Sequence, residues 1–155
     1  MPFVIVQGDL LTSKEPIIAH QCNCVTTKGK GLSEAMFAKY PYSEVYSSSS
    51  GVQRVPGENI ICYPEEKGPI IVAMIGQHLP GPPTPKETAG QRIMWFKECL
   101  EGLGMWMKNN DKHRIAFPYK IGCGLARGNW TVYEHLLKEF QQKYGLTVTL
   151  YKQED

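Results

Sequence analysis

The chain has 155 residues, 42% hydrophobic and 21% charged, which is enough for one ordinary domain that buries about two thirds of the surface its unfolded form exposes. That profile excludes a disordered chain and a membrane-embedded one. Its 17 basic and 15 acidic residues leave a net charge of +2 and are interleaved along the sequence, so the basic stripe of a dedicated nucleic-acid-binding surface is missing.

The opening MPFVIVQGDL lacks the charged flank and long apolar stretch of a signal peptide, and no segment reaches the ~18 apolar residues of a membrane span. A cytoplasmic chain is expected. Phe3 to Gln7 reads as one strand, ended by Gly8-Asp9, and Pro16 to Cys22, PIIAHQC, as a second, both of buried-strand length. Leu32, Ala35, Met36 and Lys39 recur at helical spacing, which predicts a helix from about Gly31 to Tyr40, stopped by Pro41. SSSSG, 47–51, reads as a polar loop tip, and NIICYP and IIVAMIG as two strands joined by a hairpin-like turn at EEKG.

GQHLPGPPTPKE, 76–87, holds four prolines and two glycines and is expected as a long loop, a substrate lid or a contact surface. Thr84, Pro85 and Glu87 read as a capping box that opens the next helix. That helix is expected to run to about Asn109 and to bury Phe96, Leu100, Leu103 and Met107, with Trp95, Cys99 and Trp106 beside them. At this spacing the tryptophans and methionines read as core, not as a cofactor box. A strand RIAFP follows, then the turn YKIGCGLARGN. The last helix carries Tyr133, Leu136, Leu137, Phe140 and Tyr144 on one face, with Asn129 or Thr131 to cap it and Gly145 to end it, and LTVTLY closes as a strand. The alternation predicts an α/β fold: a single domain over 1–155, built as a three-layer α/β/α sandwich around a mixed, largely parallel six-stranded sheet.

Ligands of such sheets bind at the carboxyl ends of the strands, and three glycine-marked loops fall there: Gly8-Asp9-Leu10, Gly29-Lys30-Gly31 and Gly122-Cys123-Gly124. In KGKGL the glycines let the backbone approach a ligand, and the following helix offers N–H groups and a positive dipole end to a phosphate. It matches neither the Walker loop nor the dinucleotide fingerprint. A plain turn is the other reading of that loop, and of IGCGLARGNW before the last helix. Facing one another, the two would clamp both sides of a diphosphate. Asp9 reads either as an acceptor for an adenine amino group or as a solvated turn residue.

Five cysteines at 22, 24, 62, 99 and 123 are an odd number without a framework, as in a chain of reduced thiols. His20, Cys22 and Cys24 alternate on one strand face, a zinc-like set of residue types that rarely converges on a tetrahedral centre from a single strand. The core-strand reading is preferred, with no metal expected. Cys123 reads as a nucleophile with a lowered pKa or, preferably, as a small turn residue. His78, His113 and His135 have no assignable partners, and His135 falls on the polar side of the last helix.

The order QGDLL, IIAHQCNC followed by GKGL, FPYKIGCGLARGNW and closing TVTLY resembles the macro domains, which bind ADP-ribose, over nearly the whole chain. It is most similar to the short stand-alone macro domains of the ADP-ribose-1''-phosphate phosphatase and terminal ADP-ribose glycohydrolase type. The resemblance implies that Asp9 and the backbone of Leu10 hold the adenine. Gly29, Lys30, Gly31 and Leu32 would wrap one side of the diphosphate and distal ribose, and Ile121, Gly122, Cys123, Gly124 and Leu125 the other. Asn23 matches the asparagine that contacts the distal ribose, and His20 is implied as a second catalytic group.

The implied ligand is ADP-ribose or ADP-ribose 1''-phosphate, or an ADP-ribosylated protein or nucleic acid, handled by a monomer without cofactor. The implied activity is hydrolysis, with a non-catalytic reader of ADP-ribose as the alternative and a plain protein-contact domain behind both. Three positions depart from the family pattern. The glycohydrolase branch uses a lysine near the end of IIVAMIG and an aspartate directly after the glycine-cysteine-glycine-leucine loop, where this chain has Gly76 or Gln77, and Ala126. Asn129 stands where some relatives carry an acid.

Overall fold

The computed structural model describes residues 2–47 and 50–153, so Ser48 and Ser49 of the expected SSSSG loop tip lie outside the described residues. The described strands are β1 (Phe3–Gln7), β2 (Ile17–Cys22), β3 (Asn59–Cys62), β4 (Ile70–Ile75), β5 (Arg114–Pro118) and β6 (Thr147–Lys152). They form a six-stranded sheet in the order β1-β6-β5-β2-β4-β3. Every neighbouring pair is parallel except β3, which pairs antiparallel with β4 from Asn59↔Met74 to Cys62↔Ile71 and makes the expected hairpin.

Alternation along the central strands decides the layering, because successive side chains leave a strand on opposite faces. Ile17 and Ala19 of β2, Val72 and Met74 of β4, and Ile115 and Phe117 of β5 join one core with Phe96, Leu103 and Leu137. These last three come from α2 (Ala89–Asn109) and α3 (Trp130–Tyr144). Ile18 and Cys22, Ile71 and Ala73, and Ala116 join a second core with Met36 of α1 (Leu32–Lys39). Two apolar faces on one sheet require cover on both sides, and the three-layer α/β/α sandwich is the result. Each fully buried side chain of this size contributes about 1.5–3 kcal/mol.

Three expectations need correction or refinement. β1 is an edge strand rather than a buried one: Val4 and Ile5 are 39% and 48% exposed, because β6 covers only one of its sides. α2 starts at Ala89, not at the Thr84 box, and Thr88 caps it by accepting from the Gln91 N–H at 3.1 Å. Glu87 does not reach back as a capping residue, because its carboxylate is held by the buried Arg92 guanidinium at 2.8 Å. In α3, Asn129 is the capping residue, accepting from Thr131 N–H at 3.0 Å, and Gly145 ends the helix in a left-handed conformation. Trp106 and Trp130 pack partly buried against the α2/α3 core. No described helix is long and apolar enough to cross a membrane.

Candidate functional site

The carboxyl ends of β1, β2, β4, β5 and β6 lie along one edge of the sheet, and the loops leaving them form two clefts. The first, about 440 Å³, is lined by Asp9 and Leu10 after β1, Leu32 at the start of α1, Tyr119 and Lys120 after β5, and Tyr151 to Gln153 at the end of β6. Asp9 caps the short 3-10 turn Leu10–Thr12, with one carboxylate oxygen accepting from Leu11 N–H at 2.9 Å. That bond fixes the direction of the side chain beside the backbone of Leu10.

The second cleft, about 250 Å³, is lined by Gln21, Cys22, Asn23, Thr26, Lys30 and Ser33 from one side. Tyr46, Gln77, Pro80, Gly81, Leu125 and Ala126 complete it. Asn23 is 8% exposed. Its carboxamide oxygen accepts from Val25 and Thr26 N–H at 3.1 and 2.9 Å, so its amide nitrogen is left for a ligand. Its own N–H donates to the Tyr46 hydroxyl at 3.1 Å. The Arg54 guanidinium donates to the carbonyls of Asn23, Thr26 and Tyr46 and lies over the Tyr46 ring, 4.9 Å from its centroid. This clamp holds the 23–26 turn from outside.

The two glycine-marked loops each contribute to both clefts. Gly29 packs so closely on α1 that a Cβ there would stand 2.8 Å from Glu34 N, while Gly31, φ 57°, has no side chain to cap the helix. As a result Lys30 faces the second cleft and Leu32 the first. The loop after β5 is divided in the same way: Lys120 lines the first cleft and Leu125, 82% exposed, the second. Between them Gly122 turns at φ 77°, and its carbonyl accepts from Gly128 N–H at 3.0 Å, which closes the loop on itself. The three glycine-marked loops predicted from sequence thus reach the clefts through Asp9, Leu10, Lys30, Leu32 and Leu125, whereas Gly29, Gly31, Gly122, Cys123 and Gly124 line neither.

Not every expected residue faces the clefts. His20 is 1% exposed, packs edge-on against Phe37 with centroids 5.9 Å apart, and lines neither cleft. Burial lowers its pKa to about 4, so the imidazole is neutral, and the side chain does not open to either cleft. Alternation explains the placement: His20 shares its strand face with Ile18 and Cys22, in the core beneath α1. Ile121 is 2% exposed and belongs to the other core. Cys123 is half-buried with its thiol 3.4 Å from the Ile121 carbonyl, and burial pushes its pKa up to about 11, the opposite of an activated nucleophile. Cys22, at the cleft floor, is pushed up to about 12 by burial, and burial likewise raises Tyr46 above the ordinary phenol range.

Sequence reasoning missed Tyr46, Arg54, Gln21 and the walls at Pro80 and Gly81. Arg54 sits in an unpatterned loop and carried no signal. The proline run was visible, but not its position beside Asn23. Two of the three departures from the family pattern have a place here: Gln77 and Ala126 line the second cleft, and Asn129 does not. Among its described lining residues there is no carboxylate, and Lys30 is the only lysine or arginine.

No family model matches the chain, and no curated protein matches it in sequence. Solved structures do match. A protein of unknown function from Bacteroides thetaiotaomicron is 26% identical, with 98% of each chain covered and a TM-score of 0.76. The macrodomain of Mycobacterium tuberculosis DarG is 20% identical, with 95% of this chain and 96% of that chain covered and a TM-score of 0.73. Thermosipho africanus DarTG, solved in complex with ADP-ribose, is 16% identical, with 96% of this chain and 41% of that chain covered and a TM-score of 0.76.

Proposed function

Because the chain has the macrodomain fold, we propose that its two clefts bind one ADP-ribose, with adenosine in the first, the distal ribose in the second and the diphosphate across the glycine loops. The observation that carries this reading is the division of both loops, each of which contributes residues to both clefts. A ligand with two sugar-bearing ends joined by a compact dianion fits that arrangement, and backbone N–H groups with Lys30 supply what the dianion needs. Asp9 and the Leu10 backbone read the adenine edge.

The activity we propose is hydrolysis at the distal ribose, with ADP-ribose 1''-phosphate as the preferred substrate. Water adds to phosphorus, the bond to the C1'' oxygen breaks, and ADP-ribose and inorganic phosphate leave. The second cleft favours a phosphate there because it offers an ammonium and no carboxylate to repel it. With His20 buried and neutral, one proton of the attacking water passes to the substrate's own phosphate and on to the departing C1'' oxygen, and the other stays on the inorganic phosphate. Asn23 orients the distal ribose, and the preorganised loops hold the reacting group in place. The same absence of a protein base favours a second reading, a reader of ADP-ribosylated protein or nucleic acid that does no chemistry.

Titration with ADP-ribose, followed by phosphate release from ADP-ribose 1''-phosphate in the same preparation, separates the two. Turnover that vanishes in Asn23→Ala and falls in Lys30→Ala supports the phosphatase. Binding without turnover on this substrate, or on ADP-ribosylated protein or nucleic acid, leaves the reader.

A further inference from the structure

The proline loop after β4 forms one wall of the second cleft, yet it has little means of holding itself. Pro80, Pro82 and Pro83 have no N–H to donate. In such a run the backbone groups that remain must find partners outside regular structure. Four of them find theirs on a buried ion pair. Arg92 Nε donates to Glu87 Oε2 at 2.8 Å, and the two side chains are only 3% and 5% exposed. The rest of the guanidinium grips the loop: Nη1 donates to the Gly81 carbonyl at 2.6 Å and Nη2 to the Leu79 carbonyl at 3.0 Å. Glu87 takes the opposite groups, accepting from Leu79 N–H at 3.0 Å and from His78 N–H at 3.2 Å.

This network reaches the cleft itself. The Leu79 carbonyl also accepts from Gln77 Nε2 at 2.6 Å, and because a carbonyl only accepts, the Gln77 amide is oriented with its oxygen toward Gln21. Gln21 Nε2 donates to that oxygen at 2.7 Å. Both glutamines line the cleft. A buried ion pair adds little net stability, since desolvation offsets its attraction. Its value here lies in geometry: two charges satisfy four backbone groups of a segment that its prolines deprive of donors.

We infer that Glu87 and Arg92 are positioning residues for the distal end of the site, holding Leu79–Gly81 as a fixed wall and not as a lid that closes on ligand. The inference rests on the ADP-ribose reading for its functional consequence. Arg92→Lys keeps a cation beside Glu87 but loses the fork that spans two carbonyls. It is expected to weaken ADP-ribose binding about tenfold, as for the loss of a charge-assisted hydrogen bond, and to leave AMP, which needs only the first cleft and the glycine loops, within about twofold. Equal weakening of both ligands, or of neither, would overturn the positioning role.

Amide hydrogen exchange on the unliganded protein supplies an arm independent of ligand. His78 and Leu79 should be protected in the wild type, with little change when ADP-ribose is added, and should exchange faster in both Arg92→Lys and Glu87→Gln. Rapid exchange in the free wild type that falls sharply with ADP-ribose would show a lid and sink the inference. If the wild type binds no ADP-ribose at all, the functional reading fails while the protection pattern still decides whether the wall is fixed.

Discussion

The first cleft is assembled almost entirely from residues that continue directly out of strands, Asp9 and Leu10 after β1, Tyr119 and Lys120 after β5, Tyr151 to Gln153 at the end of β6, whereas the second depends on side chains far apart in sequence. Asn23 is held by Tyr46 and Arg54, and Leu79 and Gly81, on either side of Pro80, by Arg92. In a parallel sheet the strand ends are placed by the ladder itself, so a cleft made from them needs no further support. A cleft made from irregular loops has to be tied by side-chain bonds to backbone carbonyls and N–H groups, each one a point at which a single substitution can act. The difference teaches that the geometry of the second cleft is the more fragile property.

Substitutions that separate the two clefts sharpen this contrast. The largest effect is expected from Gly122→Val. The turn requires φ 77°, and a Cβ there would meet the Tyr133 ring at 2.6 Å; a loss of about 2–4 kcal/mol in chemical denaturation should follow, together with ADP-ribose binding. Gly124→Ala, where nothing lies within 4 Å, should change stability by less than about 0.5 kcal/mol. Similar losses at both positions would refute the account of this loop.

Acid sensitivity comes next. His20 has a pKa of about 4 in the fold against 6.5 ordinarily, so the unfolded chain takes the proton first. The stability that comes from keeping it neutral is complete above pH 6.5 and is lost as pH falls toward 4, amounting to about 3 kcal/mol. Denaturation at pH 7 and 4.5 measures most of it, and a His20 ring resonance that titrates near 6.5 would contradict the burial.

Asn23→Ala should cost about tenfold or more in ADP-ribose affinity, since it removes both the proposed ribose contact and the acceptor for two N–H groups of the turn. AMP affinity should stay unchanged. Asp9→Asn is expected to have the smallest effect, a few-fold weakening of ADP-ribose and AMP alike, because the amide oxygen can still cap the turn while half of the acceptor capacity is gone. Selective loss of ADP-ribose in Asp9→Asn would reverse the assignment of the clefts.

The parts of the molecule legible in the sequence follow the same division. Periodicity located every strand of the described residues and the buried faces of α2 and α3, because hydrophobic spacing reports burial directly. The glycine loops and Asp9 were legible because turn chemistry is local. His20 was misplaced: the family resemblance put it in the site, but the alternation that pairs it with Ile18 and Cys22 points it into the core. Glu87 looked like a capping residue for want of any local sign of Arg92's burial. Tyr46 and Arg54 act across 23 and 31 residues of sequence on the Asn23 backbone, and no local pattern encodes such contacts.

Calorimetric titration with ADP-ribose beside AMP tests the central claim most directly, because only a ligand that spans both clefts gains from the second. The account predicts that ADP-ribose binds at least about tenfold tighter than AMP, a difference of about 1.4 kcal/mol. Equal affinities, or no binding of ADP-ribose, would contradict it.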